Sequence, residues 1–176
     1  EYKSIEIGTN KKIINIPSGA SDITIENLSL KYSGAHGIYA VNNTSDITVK
    51  NCEISYVGGS YITDYDEGTT RYGNGIEFWK GCENILVENN WIHNIYDSGI
   101  THQGSGTYTV NNVAFRNNLI EYCGLASIEY WLWYDEAAGE YNSAENVTYA
   151  NNIMRYAGYG FGGDQRDNRE SSAHIY

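Results

Sequence analysis

The chain has 176 residues, with 11 Lys+Arg against 22 Asp+Glu and a formal net charge of −11. That balance argues against a surface built for nucleic acid or anionic membranes, which needs clustered basic side chains. At 19% charged and 41% hydrophobic, with 17 Tyr and 19 Gly, the composition is that of a folded chain, and no run approaches the ~20 apolar residues of a membrane-spanning helix.

The N-terminal Glu1-Tyr2-Lys3-Ser4 lacks a basic-then-apolar leader pattern. Ile5, Ile7, Ile13, Ile14 and Ile16 read as a partial coil of β structure. The first full unit opens with Ser21-Asp22-Ile23-Thr24-Ile25-Glu26-Asn27, an alternating strand that ends at an Asn. A second short strand is marked by Leu30, and a third opens at Gly37-Ile38. The same order returns as Ser45 to Asn51, then Ile54, then, past an insertion from Tyr61 to Tyr72, Gly75-Ile76. It returns again as Glu83 to Asn89, Ile92 and Gly99-Ile100, and as Asn111 to Asn117, Ile120 and Ser127-Ile128. The last copy follows an insertion from Tyr134 to Ser143 and runs Glu145 to Asn151, Met154 and Gly160-Phe161.

Alternation with period two means strand, and Gly or Asn between strands means tight corners. Three short strands per unit, repeated in register, describe an all-β solenoid, a parallel β-helix of about five to six coils stacked at the inter-strand spacing of about 4.8 Å. Ile23/Ile47/Ile85/Val113/Val147 and Ile38/Ile76/Ile100/Ile128/Phe161 are then inward columns. The Asn column 27/51/89/117/151, doubled by Asn90, Asn118 and Asn152, predicts a stacked amide ladder. Ile175-Tyr176 ends the chain without an amphipathic cap. Both ends read as cut, so 1–176 is expected to be a single domain, either a fragment of a longer chain or a stack capped by association, and an oligomer is one way to cap it.

The recurring Asn-Ile-x-Ile-x-Asn-Asn-x-Ile followed by Gly-Ile resembles the right-handed parallel β-helix superfamily over about residues 4 to 165. The superfamily includes pectate lyases, polygalacturonases, other polysaccharide lyases and several glycoside hydrolases. The resemblance therefore implies a secreted or cell-surface protein whose partner is a polysaccharide or oligosaccharide. The Asp-Pro-His motif of alginate epimerases and a polygalacturonase-like pair of aspartates are both missing from the sequence.

Parity in the third strand places Tyr39, Glu77, Thr101, Glu129 and Gly162 outward. Two residues on, the outward column is Val41, Trp79, Gln103, Trp131 and Asp164. Aromatic rings stack on sugar C–H faces while carboxylates and amides reach hydroxyls. Glu77 and Glu129 should lie roughly 9.6 Å apart and Glu129 and Asp164 about 8 Å apart at the usual strand spacing. Inverting glycosidases need about 6.5–9.5 Å between carboxyl groups and retaining ones about 5–5.5 Å. Glu77, Glu129 and Asp164 are thus the candidate catalytic residues. Glu129, beside Tyr130 and Trp131, is expected to be the acid, because an apolar surround raises a carboxyl pKa.

Trp79, Trp131, Gln103, His102 and Arg166 are the candidate substrate-binding residues, although His102 has inward parity, which favours a structural role. His36 and Asp97 precede equivalent corners, where turn chemistry accounts for Asp97, and His93 is expected at the surface. No cofactor is expected. Asp64-Tyr65-Asp66-Glu67-Gly68 offers calcium-type oxygen ligands, but Thr69 stands where an EF-hand requires Gly. Cys52, Cys82 and Cys123 are too widely spaced for a zinc site or a disulfide scaffold. Glycoside hydrolysis is the leading expectation. The alternatives are a polysaccharide lyase using Lys80 or Arg166 on a uronate, and a non-catalytic glycan-binding or structural β-helix.

Overall fold

In Ser45–Lys50 and Glu83–Glu88, Ile47, Val49, Ile85 and Val87 are buried while the residues between them face outward. Repeating this period-two pattern every coil winds the chain into a solenoid. The computed structural model describes residues 10–61, 70–131, 134–163 and 173–175. Most coils contribute one strand to each of three parallel sheets. Sheet I holds Ile14–Ile16, Ile38–Ala40, Ile76–Trp79, Ile100–Gln103, Ala126–Tyr130 and Ala173–Ile175. Sheet II holds Ile23–Glu26, Ser45–Lys50, Glu83–Glu88, Tyr108–Arg116 and Glu140–Ala150, and sheet III holds Ser29–Ser33, Glu53–Val57, Trp91–Ile95, Leu119–Cys123 and Ile153–Arg155.

The register is the one read from the repeat. Ile23, Ile47, Ile85, Val113 and Val147 are lateral partners in sheet II. Leu30, Ile54, Ile92, Ile120 and Met154 are partners in sheet III. These columns fill the interior together with an aromatic stack of Phe78, His102 and Tyr130, with Phe78–His102 and His102–Tyr130 ring centroids 4.7 and 5.0 Å apart. The three cysteines are free and buried.

The two asparagine columns have separate jobs. Asn27, Asn51, Asn89, Asn117 and Asn151 are exposed and take left-handed conformations, with φ between 54° and 58°. Asn is among the few non-glycine residues that do so at low cost. The stacked amide ladder is built by their successors alone. Asn118 donates to Asn152 Oδ1, and Asn90 donates to Asn118 Oδ1, through backbone and side-chain nitrogens, all at 3.0 Å. Glycine before sheet I has a different cause: a Cβ on Gly75 would lie 2.5 Å from the Gly99 carbonyl oxygen, so the coils can stack there only without one.

Three expectations are corrected. Phe161 does not continue the Ile38/Ile76/Ile100/Ile128 column: it lies in a turn, 42% exposed, and the lateral partner of Ile128 is Ile175. Gly160-Phe161 mimics the Gly-Ile corner, but Gly163 N bonds back to Gly160 O at 2.8 Å, closing a turn instead of a strand. His93 is buried rather than superficial, stacked on Trp91 at 3.9 Å and bonded to Asn94 and Glu53. His102 does not face outward with the binding candidates; it is 2% exposed within the core stack.

The two insertions contain short antiparallel hairpins. Ser60–Tyr61 pairs with Arg71–Tyr72, and Tyr134–Asp135 pairs with the start of the Glu140–Ala150 strand. The acidic stretch Asp64 to Gly68 lies outside the described residues.

Candidate functional site

The outward face of sheet I carries Tyr39, Glu77, Thr101 and Glu129 as successive lateral neighbours, with Trp79 beside Gln103 in the next outward row. Trp131 follows on the adjoining coil, its N–H bonded to His102 O at 2.9 Å. A cavity of about 370 Å³ opens on this face. Glu77, Trp79, Gln103 and Trp131 line it. His36, Asn74 and Asp97 enter from the corner that precedes sheet I, Thr70 and Tyr72 from the first hairpin, and Lys11 and Lys12 from the segment before the first strand. Trp131 is 53% exposed, which leaves much of its ring open to a ligand.

Glu77 is the chemically distinctive group. It is 4% exposed, and burial pushes its carboxyl up to about 8. The Asn74 amide hydrogen bond, 2.8 Å from Nδ2 to Oε2, and the charge of Lys12 pull the other way, while the neighbouring carboxyls of Asp97 and Glu129 add to the rise. His36, almost fully buried, is pushed down to about 3 by burial and then by Lys12. Its Nδ1 lies 3.1 Å from Glu77 Oε2. Burial favours the uncharged form of both groups, so this contact is not an ion pair at neutral pH, and His36 Nδ1 accepts the Asn74 backbone N–H at 3.1 Å. Asn74 Oδ1 in turn accepts Ser98 N–H at 2.9 Å, and Ser98 Oγ donates to Glu129 Oε2 at 2.7 Å. A buried polar chain therefore links Glu77 to Glu129 through Asn74 and Ser98.

The resulting arrangement is one carboxyl that keeps its proton at neutral pH, a second carboxyl on Asp97 facing the same cavity, and indole rings beside them. A family description, right handed beta helix region, matches residues 7–168. The chain belongs to the right-handed β-helix family. A search of curated proteins finds no match. Among solved structures, this β-helix is similar to the mannuronan C-5 epimerase AlgE4 A-module of Azotobacter vinelandii, at 14% identity and a TM-score of 0.39. The match covers 96% of this chain and 44% of that one, so the chain spans less than half the length of that structure.

On this right-handed β-helix, Glu77, Trp79, Gln103 and Trp131 come together around one cavity. Glu129 lies beside it, buried and bonded to Ser98, and is not a lining residue. Asp164 and Arg166 lie outside the described residues, and the strand next to Ala126–Tyr130 is Ala173–Ile175 rather than a segment continuing from Phe161. The Lys80 stem runs along Gly104, away from the cavity lining. Asp97 and His36 are the cavity residues that turn chemistry alone did not reveal. Each stands one or two places before a glycine corner, where period two no longer fixes which way a side chain points. The two lie two coils apart and at different distances from their glycines, so the repeat itself gave no common signal for them.

Proposed function

We propose that the cavity binds a glycan and hydrolyses a glycosidic bond, with Glu77 as the general acid. The observation that carries this reading is the buried Glu77 carboxyl in the lining of an indole-lined cavity, where burial pushes it up to about 8. A general acid works best when its pKa lies near the working pH, and burial is the usual means of bringing a carboxyl there. A cavity of about 370 Å³ falls within the range of about 300–1,000 Å³ occupied by small-molecule sites. Trp79 and Trp131 stack on sugar rings, and Gln103 supplies an amide for hydroxyls, while Asn74 holds Glu77. As the C–O bond breaks, Glu77 gives its proton to the departing oxygen. Asp97 takes a proton from the water whose oxygen bonds to the anomeric carbon, and Glu129 holds the corner through Ser98. A secreted or cell-surface setting goes with this substrate class.

Lys11 and Lys12 at the same cavity favour a second reading, a lyase on a uronate-containing chain, because a cation beside the substrate carboxylate eases removal of the adjacent proton. Product analysis separates the readings. Incubation with a panel of neutral and acidic polysaccharides should give new reducing ends without the ultraviolet absorption of an unsaturated sugar. Unsaturated ends would establish the lyase instead. Binding without turnover would leave a non-catalytic glycan-binding module.

A further inference from the structure

The outward face of sheet III carries a second set of aromatic rings, apart from the cavity on sheet I. The lateral neighbours Tyr32, Tyr56, Asn94, Tyr122 and Tyr156 all take left-handed conformations, with φ between 52° and 63°. Asn adopts that conformation at low cost, whereas a bulky side chain in it is an outlier. Even so, the other four positions are Tyr, each between 38% and 46% exposed. The rings stack from coil to coil, Tyr32 on Tyr56 with centroids 5.4 Å apart and Tyr122 on Tyr156 at 4.7 Å. Asn94 breaks this column in two. Across the break Tyr56 and Tyr122 stand two coils apart, roughly 9.6 Å at the usual strand spacing, so one further ring fits between them at about the separation the paired rings keep. His93 meets Tyr56 edge-on, at 5.9 Å and 76°, and does not take the missing place in the stack.

We propose that this break is a second glycan-binding site, holding one pyranose ring of a neutral polysaccharide between Tyr56 and Tyr122. A pyranose offers a C–H face to each tyrosine ring and hydroxyls at its edge. Asn94 Oδ1 already meets His93 Nδ1 at 2.7 Å, while its Nδ2 has no hydrogen-bond partner among the described residues and is left for a sugar hydroxyl. Trp91, in the same coil and 44% exposed, extends the aromatic surface toward a neighbouring sugar. The charges of this face select an uncharged chain. Lys31 pairs with Glu53 at 2.6 Å and Arg155 with Glu121 at 2.6 Å, one carboxylate for each cation, and His93 and Trp91 bond the same two carboxylates. On a protein of net charge −11, this face has no surplus of either sign among its described residues. The inference rests on reading the ligand as a glycan, but not on its cleavage. Because sheet III contributes no residue to the cavity lining, a chain held here leaves the cavity open.

Asn94→Tyr is the decisive variant, because the other coils of this sheet already accept Tyr at the equivalent position, so it completes the column and closes the gap. NMR of labelled tyrosine and tryptophan rings reads both sites at once, with β-1,4-linked hexaoses of glucose, mannose and xylose as probes. At least one hexaose should shift the Tyr56 and Tyr122 ring signals, and Asn94→Tyr should weaken that binding by about tenfold or more. Trp131→Ala, which alters the cavity, should leave the tyrosine shifts in place. Unchanged affinity in a folded Asn94→Tyr protein would overturn the proposal. So would tyrosine rings that no hexaose shifts, that only free phenol shifts, or that an oligogalacturonate shifts at lower concentration. Shifts confined to Trp79 and Trp131 would remove the second site and leave the cavity reading standing. Shifts of Tyr56 and Tyr122 in a protein that cleaves no glycan would uphold the second site while removing the hydrolase reading.

Discussion

Asn118 lies one coil from Asn152, and its backbone and side-chain nitrogens both donate to Asn152 Oδ1 at 3.0 Å. Its own Oδ1 receives the two nitrogens of Asn90, and its Nδ2 also reaches Val87 O at 2.9 Å. Asn118→Ala removes this junction and leaves the Asn90 N–H buried without an acceptor. A buried donor stripped of its partner costs about 1–3 kcal/mol and further lost bonds add to it, so the variant should lose about 3 kcal/mol. Chemical denaturation against the parent protein measures the loss.

His102 should respond in the opposite sense. Both ring nitrogens are buried without a hydrogen-bond partner among the described residues, while the ring stacks on Phe78 and Tyr130. His102→Phe keeps the stack and removes two unsatisfied polar atoms. The expected gain is about 1 kcal/mol, read as a higher denaturation midpoint. A loss of stability would mean that the imidazole has a partner within the core.

Stability should also depend on pH in a way that three buried groups define. Burial holds His36 and His102 near 3 against an ordinary 6.5, so between those values the unfolded chain binds the additional protons and stability is lost as pH falls. Glu77, raised from 4.5 to about 8, acts the other way: the folded chain keeps a proton that the unfolded chain has released, and stability is lost as pH rises through that window. Each proton contributes a slope of about 1.4 kcal/mol per pH unit at most. Stability should therefore be greatest near pH 6.5, decline with about one proton's slope toward pH 8, and decline more steeply below pH 4.5. Denaturation midpoints across this range give the profile. Glu77→Gln should flatten the alkaline side, and His102→Phe should remove one proton from the acid side.

The solenoid was legible in the sequence because its two strongest signals are local. Alternation marks the strands, and the exposed asparagines at 27, 51, 89, 117 and 151 mark corners that need a left-handed residue. Equal spacing within each copy then aligned Glu77, Thr101 and Glu129 laterally, as the structure has them. What failed was non-local or lay in corners. Lys11, Lys12 and Tyr72 reach the cavity from segments outside the repeat, and no periodicity predicts that. Glu129 has the more aromatic sequence neighbours, yet the carboxyl buried in the cavity wall is Glu77, enclosed by His36, Asn74 and Asp97 from corners whose side-chain direction is set by coil stacking. Phe161 carried the local signature of a third strand, but the turn closed by Gly160 and Gly163 overrides it.

The most direct test of the central claim compares Glu77→Gln with the parent protein on whichever polysaccharide yields products. The amide retains the shape of the carboxyl and can still face Asn74, but it cannot give up a proton. Loss of a general acid typically lowers turnover by about 10²–10⁴-fold. The account predicts a loss of that order with glycan binding, measured by titration calorimetry, left within a few-fold. Undiminished turnover by a folded Glu77→Gln protein would contradict it and exclude Glu77 as the acid of this cavity.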